Sequence, residues 1–172
     1  FVIKLLKKRL FSSPAAFLAT LERHTRSLRD LKKPTRSWAT KPKVGILRRM
    51  ADGLDEERDN DAEVEEAVED AVDASTRLFA ELSKQEEQLL KSLRTWAESS
   101  AATADSKAKT LTEFLRKAVK PNGNWNRERV IIFTEYRATQ KWLLDVLLKA
   151  GFLEGERVLT LYGGMDKDER ER

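Results

Sequence analysis

The chain has 172 residues, with 33 Lys and Arg against 29 Asp and Glu, one His, no Cys, 7 Gly and 4 Pro. That length suits one domain or two small units, and the Leu, Ala, Glu, Lys and Arg content leans towards helix. The missing cysteine excludes a disulfide scaffold, a thiolate metal site and a Cys nucleophile, and the single His24 excludes a multi-histidine zinc site.

The net charge of +4 conceals a strong segregation. Residues 1–49 carry 14 basic and 2 acidic side chains, residues 50–74 carry 1 and 12, and the remainder is nearly balanced. A basic block of that size is a candidate phosphate-binding surface, unless it pairs with the acidic block beside it. No apolar run is long enough to span a bilayer, and the basic, apolar start lacks a small-residue cleavage site. Both features lead us to expect a cytoplasmic protein. The chain starts at Phe1 and stops at Glu171-Arg172 inside a predicted helix. From this we expect an internal piece of a longer protein.

In chain order, residues 1–11 read as a helix with Ile3, Leu6 and Leu10 on its apolar face. Ser12-Ser13-Pro14 stops it and starts another, a hydroxyl cap followed by proline at the first helical position. The second helix presents Phe17, Leu18, Leu21, Leu28 and Leu31, and Lys33-Pro34 ends it. His24, between Arg23 and Arg26, is expected at its surface. Residues 34–45 read as an extended linker, with Trp38 as an anchor or a base-stacking ring, and residues 51–61 as an acidic loop.

Between 62 and 97 the positions Val64, Val68, Ala71, Ser75, Leu78, Leu82, Gln85, Leu89, Ser92 and Trp96 step by four and three. This heptad seam predicts one long helix, used in a helical hairpin or against a partner helix. Asp105 is placed as the N-cap of a helix carrying Ala108, Leu111, Leu115 and Ala118, closed by Pro121-Asn122-Gly123-Asn124.

Beyond residue 125 the period changes. Arg129–Thr134 and Arg157–Tyr162 are short apolar runs rich in β-branching and read as strands. Between them lies an amphipathic helix over 137–150 with Trp142, Leu143, Val146 and Leu147, ended by Gly151. Asp166 and Glu169 resemble a capping box for a further helix. Strand, helix and strand predict a βαβ unit with parallel strands. The expected fold is therefore mainly α, with a helical region over 1–104 and a C-terminal α/β piece over 105–172. Parallel sheets bind ligands at the carboxyl ends of their strands. Those ends are Thr134-Glu135-Tyr136-Arg137 and Tyr162-Gly163-Gly164. Thr134 either contacts a ligand or bonds backbone, and the glycine pair either cradles phosphate or turns the chain. There is no GxxxxGK[ST] loop, and no nucleophile–base pair stands near either corner.

Val130-Ile131-Ile132-Phe133-Thr134-Glu135-Tyr136-Arg137, with Leu161-Tyr162-Gly163-Gly164-Met165 downstream, resembles the opening of the second RecA-like lobe of superfamily-two helicases. The resemblance is to the bacterial Swi/Snf-type translocases in particular. Asp105-Ser106-Lys107 is similar to that family's lobe-linking helix, and LLKKRLFSSPAAFLATLERH to helical segments following its first lobe. The resemblance implies a fragment of an ATP-dependent DNA translocase or helicase, with residues 1–104 as an inter-lobe insertion. It also implies nucleic-acid contact by Thr134, Tyr136, Arg137, Gly163 and Gly164. ATP and Mg would be bound in the parent rather than in this fragment, which is expected to hydrolyse no ATP alone. DNA is the implied partner. The competing expectation is a helical interaction module that self-associates through the seam and ignores DNA.

Overall fold

The structure, a computed structural model, describes residues 2–31, 61–76 and 81–171. The linker, Trp38, the acidic loop and much of the basic block lie outside the described residues. Seven α-helices and a 3₁₀ turn are described: α1 Val2–Ser12, α2 Pro14–Leu31, α3 Asp61–Thr76, α4 Lys84–Ala101, α5 Ser106–Val119, the turn Pro121–Gly123, α6 Arg137–Lys149 and α7 Lys167–Glu171.

The joint between α1 and α2 forms where the hydroxyl–proline pattern places it. Ser13 Oγ accepts the Ala16 N–H at 3.1 Å, and Pro14 occupies the first position, where an N–H has no helical partner anyway. Lys107 Nζ donates to the terminal carbonyls Phe11 O and Ser12 O of α1. The buried stripe of α1 differs from the expected one. It is Val2, Leu5 and Arg9, while Ile3 is exposed and Leu6 and Leu10 are half-buried. The cause is a two-sided environment: α1 packs on both α2 and α3, so its stripe turns towards the groove between them.

Helix α2 is the hub, packing on α1, α3, α4 and α6. Phe17, Leu21 and Leu28 are buried as predicted. His24 is a correction. It is 7% exposed rather than at the surface, because the face that meets α3 includes it. Its Nδ1 lies 2.9 Å from Thr76 Oγ1, which itself donates to Val72 O at 2.7 Å. The hydroxyl proton is thereby spent, so the neutral imidazole carries its proton on Nδ1 and donates. The neighbouring Arg23 forms a two-bond pair with Asp73, one turn before Thr76 on α3, and Asp73 also accepts from Ser27.

The continuous 62–97 helix is not observed. Residues 81–83 are non-helical, and α4 begins afresh with Ser83 as its N-cap. Ser83 Oγ accepts the Glu86 N–H while the Glu86 carboxylate accepts from the Ser83 N–H, a reciprocal capping box. The Ser83 N–H, and the Ser83 hydroxyl that also donates to this carboxylate, hold the Glu86 carboxyl below its usual pKa. The seam accordingly splits. Val68, Ala71 and Ser75 are buried on α3, whereas Leu89 is 70% exposed and Trp96 half-exposed, because α4 buries Ala97 and the side of Leu90 against Phe17 and Leu21.

Helices α5 and α6 form the second core: Ala108, Leu115, Val119, Trp142, Leu143, Val146, Leu147 and Phe152. Asp105 caps α5 through its carboxylate on the Ala108 N–H at 2.8 Å. At the end of α6, Gly151 takes φ +77°, and the Gly151 and Phe152 N–H groups return to Leu148 O and Leu147 O. This is the left-handed stop predicted there. The two predicted regions share side-chain bonds: Ser12 Oγ and the fully buried Ser13 Oγ lie 2.7 and 2.8 Å from Thr139 Oγ1 of α6.

The α/β piece is the main correction. Residues 129–134 and 157–162 carry no regular secondary structure, and no strand or sheet exists among the described residues. The described backbone–backbone hydrogen bonds include none from residues 129–135. Extended backbone becomes a strand only when a neighbour supplies the ladder, and neither segment supplies it to the other. The predicted βαβ unit, and with it an incomplete RecA-like parallel sheet, is therefore not formed.

Candidate nucleic-acid interface

Although the sheet is missing, the two corners it was expected to align do meet. Tyr136 is the N-cap residue of α6 and Arg137 its first residue. The Arg137 guanidinium lies over the Tyr162 ring, 3.5 Å from its centroid, and donates to Gln140 Oε1. Gln140 Nε2 in turn donates to Leu161 O at 2.9 Å. One turn of helix thus holds residues 161–162 by one stacking contact and one hydrogen bond. From the other side the Arg9 guanidinium lies 3.9 Å from the Tyr136 ring centroid. Two arginines and two tyrosines are threaded between α1, the start of α6 and residues 161–162.

Of the predicted site residues, Tyr136 and Arg137 lie in this cluster, and Gly163 and Gly164 follow Tyr162 directly in the chain. Gly164 has φ +80° and the Met165 N–H returns to Tyr162 O, so the glycine pair makes a turn into α7. Asp166 then accepts the Asp168 N–H at 2.9 Å, while the Glu169 side chain lies outside the described residues. Thr134 is half-buried, and no described contact ties it to the cluster. Sequence reasoning missed Arg9 and Gln140. Arg9 lies four residues beyond the buried Leu5, and a charge on an apolar face was the available signal. Gln140 is one turn after Tyr136, on the same side of α6.

Arg137 is half-buried and its ring partner fixes the plane of the guanidinium. Apart from the Gln140 bond, its N–H groups make no described hydrogen bond. A planar cation held this way can address a phosphate at low entropic cost.

A second polar knot closes the loop below. Lys120 Nζ donates to Glu154 Oε1 at 2.6 Å and to Gly151 O, and Trp125 Nε1 donates to Glu154 Oε2 at 2.8 Å. The Lys120 and Trp125 bonds hold the Glu154 carboxyl below its usual pKa. A cleft of about 450 Å³ opens between α5, α6 and residues 101–104, lined by Trp142 and by Lys109, Arg116, Glu113 and Asp145. Its charges are mixed, and it lies away from the corners. Among the described residues no group of three or more His, Cys, Asp or Glu could hold a metal, and no helix is long and apolar enough to cross a membrane.

No known protein family matches the chain, and no curated protein and no solved structure matches it either.

Proposed function

We infer that the chain is part of an ATP-dependent DNA translocase or helicase and contributes a phosphate-contacting surface to it. The assignment to that class rests on the sequence resemblance at residues 130–137 and 161–165, and it draws nothing from a RecA-like sheet. The observation that carries the contact surface is the Arg137–Tyr162 stack at 3.5 Å, which gathers residues of both predicted corners around one oriented cation. ATP and Mg belong to the parent, and the chain alone turns over no ATP.

Fluorescence anisotropy with a labelled duplex, titrated at several salt concentrations, tests the reading. Binding should weaken steeply with salt, and Arg137→Ala should reduce the slope by about one phosphate contact. Salt-independent binding, or none at low salt, overturns it. Saturable Mg-dependent ATPase activity of the 172-residue chain overturns the division of labour.

A second reading, a helical interaction module, is favoured by the exposed Leu89, Leu93 and Trp96 on α4. It requires association that Leu89→Glu abolishes and that duplex DNA leaves unchanged, as read by sedimentation.

A further inference from the structure

Helices α1 and α3 carry opposite charges on surfaces that do not meet within one chain. Helix α1 holds four basic residues and no acidic one. Its buried stripe is Val2, Leu5 and Arg9, and Lys4, Lys7 and Lys8 are exposed. Lys7 lies two residues from both Leu5 and Arg9, about 200° round the helix from each, so it stands on the side away from the core. On α3, Glu66 and Asp70 are exposed and stand two residues either side of the buried Val68, again on the far side of the helix. Leu5 and Val68 pack in one cluster. The contact that joins the two helices thus turns Lys7 one way and the two carboxylates another. None of Lys4, Lys7, Glu66 and Asp70 takes part in an ion pair or hydrogen bond among the described residues.

Apolar groups stand beside both sets. Ile3 is 65% and Phe11 76% exposed, four residues either side of Lys7, so the three share a face. On α3 the half-buried Ala67 and Ala74, seven residues apart, share one side of the helix. Ile3 to Phe11 spans about 12 Å of helix and Ala67 to Ala74 about 10.5 Å. We propose that α1 of one copy docks on α3 of a second copy, and that a two-fold axis repeats the contact with the roles exchanged. Lys4 and Lys7 then meet the carboxylates of Glu66 and Asp70 across the axis, and Ile3 and Phe11 fill the low ground beside the alanines. Pairing α1 with α1 opposes lysine to lysine, and α3 with α3 carboxylate to carboxylate, so the charges select the crossed arrangement. A phosphate backbone accepts the lysines but leaves Ile3 and Phe11 in water and Glu66 and Asp70 unmatched. The two-fold uses both patches of each chain, so association stops at two. The proposal makes no use of the Arg137 stack and stands apart from the phosphate-contacting reading.

Sedimentation equilibrium of the full chain over a wide concentration range, at low and at moderate salt, tests this, with far-UV circular dichroism as a check on helix content. The chain should form a dimer and nothing larger, and salt should weaken it. The variants K4E/K7E and E66K/D70K each turn the crossed pairs repulsive and should each weaken the dimer at least about tenfold. Mixed in equal amounts, the two variants bring opposite charges together again at both contacts. The mixture should therefore dimerise to within about threefold of the parent, although neither variant does so alone. A chain that stays monomeric throughout, association beyond a dimer, a dimer indifferent to either charge change, a mixture no better than its parts, or a dimer lost with Leu89→Glu instead would each overturn the proposal.

Discussion

Thr139→Val tests the joint on which the candidate interface depends. Thr139 Oγ1 sits within 2.8 Å of both Ser12 Oγ and Ser13 Oγ, and it lies two residues along α6 from Arg137. Valine keeps the shape and deletes the hydroxyl, so no cavity term enters. Ser12 is half-buried and can turn to water. Ser13 is fully buried; it keeps the Ala16 N–H but loses its hydroxyl partner on Thr139, whichever of the two donates. One unsatisfied buried hydroxyl costs about 1–3 kcal/mol. Urea unfolding followed by circular dichroism should show that loss with an unchanged slope. The pair Ser13→Ala and Thr139→Val should be less damaging together than the sum of the two, because the orphaned hydroxyl goes with the serine. A Thr139→Val chain within about 0.5 kcal/mol of the parent, with strict additivity in the double, would refute the joint. It would also release α6 from α1 and remove the reason for Arg9 to meet Tyr136.

Leu21→Ala removes a side chain with 0% exposure at the centre of the α2–α4 contact, and should cost about 2–5 kcal/mol in the same unfolding assay. Burial lowers the His24 pKa below its ordinary 6.5, so the unfolded chain takes up a proton before the folded one does. Stability from this group is complete above about pH 6.5 and is lost as pH falls from there through the folded value, by at most about 1.4 kcal/mol per pH unit. His24→Gln, whose amide can still donate to Thr76, should erase that component when urea midpoints at about pH 7.5 and 5.5 are compared. Gly151→Ala meets no atom within 4 Å but must hold φ +77°, so a melting experiment should show a loss of about 1 kcal/mol from backbone strain alone.

What could be read from the sequence was whatever the chain settles within a few residues. The Ser13-Pro14 restart, the Asp105 cap, the apolar face of α6 and the stop at Gly151 all depend on side chains three or four positions apart. The failures lie where a distant element decides. Periodicity placed Ile3 inside, and packing against α3 as well as α2 turned α1 away from it. His24 looked like a surface residue among arginines until the Thr76 hydroxyl of α3, 52 residues away, met it. The heptad pattern continued across a break that was in fact written locally: Ser83 with Glu86 three residues on is a capping-box signature. At the candidate interface Tyr136 and Arg137 were legible as the corner before a helix, but the Arg9–Tyr136 stack joins residues 127 apart, and nothing in either neighbourhood announces it.

The segments 129–134 and 157–162 carry this reasoning to its sharpest point. A helix closes its hydrogen bonds between residues four apart, so a sequence that favours it contains every group it needs. A strand supplies only half of its bonds. Val130-Ile131-Ile132-Phe133 has the β-branched content that favours extension, and exposure alternates along it, yet no ladder forms there among the described residues. The partner is a separate question, one that propensity cannot answer. Local preference thus raises the tendency to extend without naming the neighbour, and neither 130–133 nor 157–162 supplies that neighbour to the other.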